Sequence, residues 1–420
     1  MVDVQSMAPG LSHVVFLERA ARELDSAQSR FGQAAFLVLR LVDLLGASQT
    51  ATHGDDLFGY QAAATGRYCH EQLEPGPQTD RLLDLVSSAS YAHRSQNPGL
   101  IAPVMFDLTR DLISASHFEE ALDVLATFER NVGERIEPSA AITVAMLTGR
   151  AMRLAARFDE AEVAYRRAGS LATATGDRRM VAFSRLGCAN VLVSKGNLAV
   201  AEREYFDLLS EARALHDTGL ESQVENGIGI VLGYRGQTPD SLLHFWRAFK
   251  LSESDPEEAL GALYNLGYSL GRLGAVEAAE HAFRFTLKRA QRVELANNAL
   301  IELMHCASFR RDRVGFARWS AECGRALARM HPNQVADFHL KLGIGLARFG
   351  HLDRGAIELK QALQVARSHG LHEFEFRIER IAAGLSACDT TLLEGEDLGD
   401  APAWAATLDE VSRALAGLAH

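Results

Sequence analysis

Two Gly-x-Gly runs are the residues of this chain that come nearest to a site for a phosphate-bearing cofactor. They are Gly227-Ile228-Gly229 and Gly343-Ile344-Gly345. A dinucleotide site places such glycines between a strand and the start of a helix, where free backbone N–H groups meet the phosphates. Both runs here are predicted to lie inside helices, where glycine permits close packing. No cofactor is therefore expected.

Two His-Glu pairs, His70-Glu71 and His372-Glu373, match the start of a zinc-binding helix. Neither has a second histidine four residues after the first, so neither supplies enough ligands to hold a metal ion. The five cysteines form no Cys-x-x-Cys pair, and we predict that they are buried apolar residues in a reducing compartment. No P-loop is present. The chain is accordingly predicted not to be an enzyme.

The composition favours packed helices and argues against two classes of partner. Of the 420 residues, 47% are hydrophobic and only 7% aromatic, which suits Ala- and Leu-rich helices. The net charge of −11 argues against a nucleic-acid binder, because phosphate groups require a surplus of Lys and Arg. No secretory signal is apparent, and the longest apolar stretch is interrupted by Arg40 and Asp43. We predict a cytoplasmic protein without membrane insertion.

A small residue recurs at a nearly constant interval and organises the elements around these motifs. Successive members are separated by 40, 40, 40, 38, 38 and 38 positions. They are Ala121, Ala161, Ala201, Ser241, Ala279, Ala317 and Gly355. A constant interval of this length predicts a stack of helix pairs, because each pair must bury its apolar face against the next.

The fifth repeat shows the pattern most clearly. Leucines and glycines recur at helical spacing over 263–270, Leu273-Gly274 interrupts them, and a second helix begins before Ala279. Residues 264–274, which read Tyr-Asn-Leu-Gly-Tyr-Ser-Leu-Gly-Arg-Leu-Gly, resemble a tetratricopeptide repeat. The resemblance covers the chain from about Met105 to Ala387. It departs from the family because these repeats exceed the usual length of about 34 residues.

The resemblance implies an all-α fold, a right-handed superhelical α-solenoid of about seven antiparallel helix hairpins. It also implies that exposed positions of each first helix line a concave surface suited to a peptide segment or a helix. The alternative for these positions is that they are only solvated helix faces. The positions are Arg110, Arg150, Arg153, Asn190, Asn226, Tyr234, Tyr264, Asn265, Tyr268, Arg272, Arg310, Lys341 and Arg348.

Two positions of the sixth repeat depart from the pattern. His305 stands where a glycine is expected in the first helix, and Asp312 stands where the turn glycine is expected. We therefore expect an irregular sixth repeat. Four further helices are predicted upstream of the repeats, at 11–24, 33–45, 57–73 and 80–93. They are expected to form a helical bundle or degenerate repeats within residues 1–100.

The repeats are assigned to residues 101–388, followed by an acidic linker at 389–400 and an amphipathic helix within 401–420. The apolar stripe of that helix contains Trp404, Leu408, Val411, Leu415 and Leu418. The stripe is expected to fold back as a cap. The alternative is that it docks in a partner or in a second copy of the chain, with self-association through Trp404, Leu408, Val411 and Leu415.

Taken together, the residues predict a non-catalytic scaffold or adaptor that binds a peptide segment or helix. Asn can donate hydrogen bonds to a peptide backbone and accept them from it. Tyr supplies apolar area with a polar tip, and Arg binds carboxylates. A ligand with acidic groups or a C-terminal carboxylate is therefore expected. The alternative is a regulatory module in which a small ligand or a peptide changes the solenoid and thereby the activity of a partner protein.

Overall fold

The computed structural model describes residues 12–22, 26–47, 54–252, 255–386 and 402–418. Every regular element within these ranges is a helix, which confirms the predicted all-α class. Twenty α-helices are described. In chain order they are α1 (Val14–Arg22), α2 (Ser26–Ala47), α3 (Gly54–Gln72), α4 (Pro77–Arg94), α5 (Ala102–Ser114), α6 (Phe118–Val132), α7 (Pro138–Leu154), α8 (Phe158–Thr175), α9 (Arg178–Ser194), α10 (Leu198–Leu215), α11 (Thr218–Tyr234), α12 (Thr238–Leu251), α13 (Pro256–Arg272), α14 (Val276–Arg289), α15 (Val293–Phe309), α16 (Arg313–Ala326), α17 (Pro332–Arg348), α18 (Leu352–Ser368), α19 (His372–Ser386) and α20 (Pro402–Leu418).

The helices form two compact units, Met1–Lys195 and Gly196–His420. In the first unit, α5 packs against α6 and α7 against α8. In the second unit the packed pairs are α11 with α12, α13 with α14, α15 with α16, and α17 with α18. Six helix pairs between α5 and α18 are thus packed within one unit or the other, whereas α9 ends the first unit and α10 begins the second. We call the earlier helix of each pair the first helix and the later one the second helix.

A residue with left-handed backbone conformation stands at each of the seven turns that the repeat pattern predicts. These residues are Ser116, Ala156, Gly196, Gly236, Gly274, Arg311 and Gly350, with φ between 58° and 86°. Six of them lie five positions before the small residue of the repeat series, and Arg311 lies six positions before Ala317. The left-handed conformation reverses the chain without a long loop, and glycine adopts it at least cost.

The small residues predicted from the sequence are buried in the second helices, with one exception. Ala121, Ala161, Ala201, Ser241 and Ala279 are all fully buried, and a Cβ on Gly355 would lie 2.8 Å from the carbonyl oxygen of Gly343. Ala317 is exposed, so its assignment was wrong. The sixth turn bends at Arg311, which places Phe316 five positions later at the buried position.

The same shift corrects the two irregular positions of the sixth repeat. Asp312 does not occupy the turn-glycine position: it is the N-cap of α16, and its carboxylate accepts a hydrogen bond from Gly315 N at 2.9 Å. Helix α15 ends two residues before its left-handed turn residue, Arg311, just as α13 ends two residues before Gly274. When the two helices are aligned on these turns, the buried Met304 occupies the position of Gly267. His305 then occupies the position of Tyr268.

Aromatic rings of the second helices pack directly against glycines of neighbouring first helices. A Cβ on Gly229 would lie 2.6 Å from the ring of Phe245, and one on Gly267 would lie 2.9 Å from that of Phe283. Gly149 makes the same room for Tyr165 in the first unit. Burying such a ring stabilises the fold by roughly 1.5–3 kcal/mol, and a methyl group in its path would displace it.

The predicted N-terminal helices are all present within the first unit as α1 to α4. His13, immediately before α1, connects α1 to two other helices: its Nδ1 lies 2.6 Å from Asp123 of α6 and its Nε2 lies 3.1 Å from Asp43 of α2. Burial lowers the pKa of His13, but the hydrogen bonds and charges of Asp123 and Asp43 outweigh it and raise this pKa above its usual value.

The C-terminal helix α20 folds back onto its own unit. Val411 and Leu415 are buried, and α20 contacts the second helices α12 and α14. The indole N–H of Trp246 donates a hydrogen bond to Glu410 at 3.0 Å. The side chains of Trp404 and Leu418, and the predicted acidic linker, lie outside the described residues. Self-association through Val411 and Leu415 would thus require α20 to leave this contact.

Candidate functional site

The second unit gathers polar and aromatic side chains on one face of its first helices. Helices α11, α13, α15 and α17 contact one another in sequence, and α17 contacts α19. We use the name first-helix face for the polar and aromatic residues that these helices place on that face. It comprises Asn226 of α11, Tyr264, Asn265, Tyr268 and Arg272 of α13, Glu302, His305, Ser308 and Phe309 of α15, Asp337, Lys341 and Arg348 of α17, and Arg377 of α19.

Two side-chain contacts join α13 to α11. The Nδ2 amide of Asn265 donates to Oδ1 of Asn226 at 2.9 Å, and Nη1 of Arg272 donates to the carbonyl oxygen of Gly233 at 2.9 Å. Both contacts link residues 39 positions apart. They hold two neighbouring first helices at a defined separation while each amide keeps unused donor and acceptor capacity.

A buried charge cluster joins α15 to α17. Nζ of Lys341 lies 2.5 Å from Oε1 of Glu302 and 2.6 Å from Oδ2 of Asp337. Lys341 and Glu302 are only 2% and 4% exposed, respectively, so neither charge is solvated. Burial lowers the pKa of Lys341, but the charges of Asp337 and Glu302 outweigh it and raise this pKa, which keeps the ammonium charged.

Two tyrosines of α13 border this cluster. The hydroxyl of Tyr264 donates to Oε1 of Glu302 at 3.4 Å, and Nζ of Lys341 lies 5.7 Å from the centre of the Tyr268 ring. Burial and the charge of Glu302 raise the pKa of Tyr264 well above its usual value, so its hydroxyl stays protonated and available as a donor. The cluster therefore extends over three successive first helices.

A second polar group lies one turn further along α15. Nη1 of Arg348 donates to Oγ of Ser308 at 2.9 Å, and its guanidinium carbon lies 4.7 Å from the centre of the Phe309 ring. His305 is partly buried, and its Nδ1 is a buried atom without a hydrogen-bond partner in the structure. Burial, and then the charges of Arg348, Lys341 and Arg377, lower the pKa of His305 well below its usual value. The imidazole is therefore neutral at pH 7.

Of the thirteen residues predicted to bind a partner, the structure brings six together on the first-helix face. Asn226, Tyr264, Asn265, Tyr268, Arg272 and Arg348 lie there with side chains that are half-buried. Tyr234, at the end of α11, is 53% exposed beside the same helices. These seven side chains are partly or largely exposed on helices of one unit, and their role in binding stays a prediction.

Two members of the predicted set differ from expectation. Lys341 lies on the face but is buried in the charge cluster, so it is not the exposed side chain that was predicted. Arg310 lies beyond the end of α15, where its guanidinium binds Glu280 of the second helix α14 at 2.7 Å. The register of Arg310 was wrong because the sixth turn comes one residue earlier than the period indicates.

The other predicted residues belong to the first unit and form a separate group. Arg110 is exposed and binds Asp107 of its own helix at 2.8 Å. Arg150 and Arg153 of α7 and Asn190 of α9 are partly buried. Nε of Arg153 is a buried atom without a hydrogen-bond partner in the structure.

Sequence reasoning missed six members of the face: Glu302, His305, Ser308, Phe309, Asp337 and Arg377. Glu302 and Asp337 are carboxylates at helix positions that the family resemblance did not single out, and His305 was interpreted only as an irregularity. One feature of the sequence could have identified Glu302. It lies 39 positions before Lys341, the same separation as between Asn226 and Asn265.

The motifs examined for catalysis and metal binding lie as follows in the described structure. Within the described ranges, no group of three His, Cys, Asp or Glu residues could hold a metal ion. Both Gly-x-Gly runs lie inside helices, in α11 and α17. Burial raises the pKa of the Cys69 thiol to about 11 and that of Cys323 to about 12, so both are protonated at neutral pH.

No helix in the part of the chain that is described has the length and hydrophobicity needed to span a membrane.

No protein-family model matches the sequence, and no curated protein matches it closely enough to be identified as a relative. Solved structures do match the fold. A Rap protein complexed with competence and sporulation factor has a TM-score of 0.52 at 13% identity, covering 81% of this chain and 99% of that one. The Rap conjugation gene regulator of plasmid pLS20, in complex with the Phr* peptide, has a TM-score of 0.55 at 13% identity, covering 80% and 97%.

The APC/C hetero-tetramer Cut9-Hcn1 is also similar, with a TM-score of 0.53 at 14% identity, covering 86% of this chain and 61% of that one. These similarities confirm the tetratricopeptide-type fold that the sequence resemblance predicted. At this level of identity they establish the fold and leave the function to be argued from the residues.

Proposed function

We propose that this chain is a non-catalytic scaffold or adaptor that binds a peptide segment or a helix of a partner protein on the first-helix face. The proposal rests on the side-chain contacts that connect successive first helices on that face. Asn226, Asn265, Glu302 and Lys341 are held by contacts between successive helices, so their polar groups are already ordered before a ligand arrives. Ordering the binding groups in advance reduces the entropy cost of binding.

The types of residue also suit a peptide. The half-buried Asn226 and Asn265 offer amide groups to a peptide backbone, and Tyr264 and Tyr268 offer apolar area with polar tips. By their titles, two of the similar structures are complexes, one with competence and sporulation factor and one with the Phr* peptide. Their folds lend support to peptide binding here.

A regulatory role is the second candidate. One of the similar structures is titled as a conjugation gene regulator in complex with a peptide. In this alternative the peptide would favour one arrangement of the helix pairs and thereby change the activity of a partner protein. Scattering distinguishes the two: a profile that changes when a bound peptide is added supports regulation, whereas an unchanged profile supports a passive scaffold.

The partner that we propose is a protein or peptide with acidic or C-terminal carboxylate groups, encountered in the cytoplasm. The net charge of −11 disfavours nucleic acid, because counterion release needs a basic surface. Buried, protonated thiols in the described part of the chain fit a reducing compartment and a role without nucleophilic catalysis.

The test is retention of peptides from a random-sequence octapeptide pool on the immobilised protein, measured by mass spectrometry. The variant carries Asn226→Ala, Tyr264→Ala and Asn265→Ala together. The matched control carries Lys288→Ala, Arg325→Ala and Lys360→Ala, three exposed residues of second helices. We expect the first variant to lose retention and the control to keep it, with equal helicity by circular dichroism. Equal retention by both variants would rule out the first-helix face.

A further inference from the structure

Helix α20 packs on two second helices from inside the run of helix pairs. Its principal contacts are with α12 and α14, and the hydrogen bond that joins it to α12 links residues 164 positions apart. A helix that only closes an array of repeats packs on the last pair, which here is α17 with α18. The position of α20 is instead that of a ligand helix seated across neighbouring helices.

The apolar part of this contact is small and regular. Val411 and Leu415 are buried in the apolar cluster that contains Trp246, and Leu408 and Ala414 pack against that cluster. Their spacing of three and four positions is the pattern with which an amphipathic helix fills a groove. A single helix of 17 residues gains most of its stability from packing, so docking must also order it. The net affinity of α20 for the surface is therefore modest, and the contact can open.

Two groups of α12 recognise a carboxylate of α20. Nε1 of Trp246 donates to Oε1 of Glu410 at 3.0 Å, and Nζ of Lys250 lies 3.9 Å from the same oxygen. Nζ of Lys250 also lies 5.2 Å from the centre of the Trp246 ring, so one turn of α12 carries both groups. Trp246 is only 8% exposed, and a buried indole N–H requires an acceptor. The surface therefore selects a helix with a carboxylate directly before a buried apolar residue.

The connection to α19 determines how strongly α20 competes with another helix. Fifteen residues, 387–401, lie between the two helices in the sequence. A connection of that length gives α20 an effective concentration on the order of millimolar at the surface. A free helix of equal affinity is therefore excluded at lower concentrations, whereas a helix of higher affinity can displace α20.

We propose that the surface of α12 and α14, which we call the second-helix surface, binds a carboxylate-bearing amphipathic helix of a partner protein, with α20 as its intramolecular competitor. This site goes beyond the proposed function, because it lies on second helices and does not use the first-helix face. The partner helix carries apolar residues at the spacing of Leu408, Val411 and Leu415. It also carries a carboxylate at the position of Glu410, which accepts the hydrogen bond of the Trp246 indole.

The probe is a fluorescein-labelled peptide with the sequence of residues 402–418, and fluorescence anisotropy measures its binding to the full chain. Val411→Asp together with Leu415→Asp should release α20 of the protein, because two carboxylates would otherwise be buried without partners. We expect this released variant to bind the peptide roughly tenfold more tightly than wild-type protein does, since the competitor is gone. Ala416→Asp together with Gly417→Asp, at exposed positions of α20, is the control and should bind like wild type. Equal binding by the released variant and wild type would overturn the competition.

Two altered peptides test the recognition of the carboxylate. The peptide with Glu410→Ala should bind the released variant roughly tenfold more weakly than the unaltered peptide, because the Trp246 indole loses its acceptor. The peptide with Asp409→Ala, a residue exposed on α20, should bind with unchanged affinity. Trp246→Phe, added to the released variant, should make the affinities of the two altered peptides equal. Equal affinities without that substitution would overturn the recognition of a carboxylate.

Circular dichroism and light scattering complete the test. If the released variant loses helicity beyond that of α20, Glu410→Ala in the protein takes its place. This milder change, at a side chain that is 56% exposed, is expected to tighten peptide binding about threefold. A wild-type dimer that the released variant cannot form would assign the second-helix surface to α20 of a second copy, and would overturn the assignment to a partner protein.

Discussion

Nζ of Lys341 lies 2.5 Å from Oε1 of Glu302, although the two residues are 39 positions apart and belong to successive first helices. Both side chains are buried, and a second carboxylate, that of Asp337, completes the cluster at 2.6 Å. The contact links the spacing of the repeats to the order of the first-helix face, because it can form only if α15 and α17 pack in this register.

Removal of the Lys341 ammonium should destabilise the protein strongly. Lys341→Met leaves Glu302 without its cation in a buried site, at an expected cost of about 3–5 kcal/mol in the free energy of unfolding. Adding Glu302→Gln should restore part of the loss, since the uncompensated charge is then gone. Urea unfolding of the two single variants and the double variant measures this coupling. Lys360→Met, at an exposed site, is the control, and equal losses at both lysines would contradict the account.

Phe316 and Gly345 should depend on each other. A Cβ on Gly345 would overlap the ring of Phe316, so Gly345→Ala is expected to cost about 1–3 kcal/mol. Adding Phe316→Leu should recover part of that cost. The matched control is Gly271→Ala, where the new Cβ would lie 3.8 Å from the Cβ of Ala279, and helix propensity should stabilise by up to about 1 kcal/mol. Thermal unfolding compares them, and a loss at both glycines would refute the packing argument.

Substitutions at two of the left-handed turn residues should change the stability of the protein in opposite directions. Ala156 has φ of 59°, so Ala156→Gly should relieve backbone strain and stabilise the protein by about 1 kcal/mol. Gly196 has φ of 78° and open space around a Cβ, so Gly196→Ala should destabilise by about 1–2 kcal/mol through the backbone alone. Chemical denaturation of each variant tests this, and two changes of the same sign would be incompatible with the turn assignment.

The contribution of His13 to stability should depend on pH. Its pKa is raised in the folded state, so its contribution is fully present below about pH 6.5 and is lost as pH rises through the folded-state pKa. The pKa of Asp43 is lowered to about 2: burial raises it, but hydrogen bonds from His13 and Asn131 outweigh burial, so its contribution persists until strongly acidic pH.

His13→Ala is therefore expected to cost about 1–3 kcal/mol at pH 6 and less at pH 9. Urea unfolding at the two pH values measures the difference between wild type and variant. His70→Ala, at an exposed position of α3, controls for the loss of a histidine. A cost that grows with pH would contradict the charged bridge to Asp43 and Asp123.

The fold could be predicted from the sequence because the small residues and the turns repeat locally. The predicted register was wrong in the sixth repeat, where neither the turn residue nor the buried residue has the type found in the other repeats. Arg311 adopts the left-handed conformation without being glycine, and Phe316 occupies a position that is small elsewhere because Gly345 leaves room for its ring. A single-sequence period cannot detect that exchange, since the two residues are distant in the chain and compensate only in space.

The candidate site was predictable in part for a related reason. Asn226, Tyr264 and Asn265 carry residue types that suggest binding wherever they occur on a helix face. Lys341 was expected to be exposed, because lysines almost always are. Its burial depends on Glu302 and Asp337, and the pairing becomes visible only when the helices are placed side by side.

Photo-crosslinking tests the central claim most directly. An octapeptide retained by the wild-type protein is resynthesised with one benzoylphenylalanine, irradiated with the protein, and the crosslinked residues are identified by mass spectrometry. The account predicts crosslinks on the first helices α13, α15 and α17, near Tyr264, His305 and Arg348, and their loss on competition with unmodified peptide. Crosslinks confined to the second helices α14, α16 and α18, or to the first unit, would contradict it.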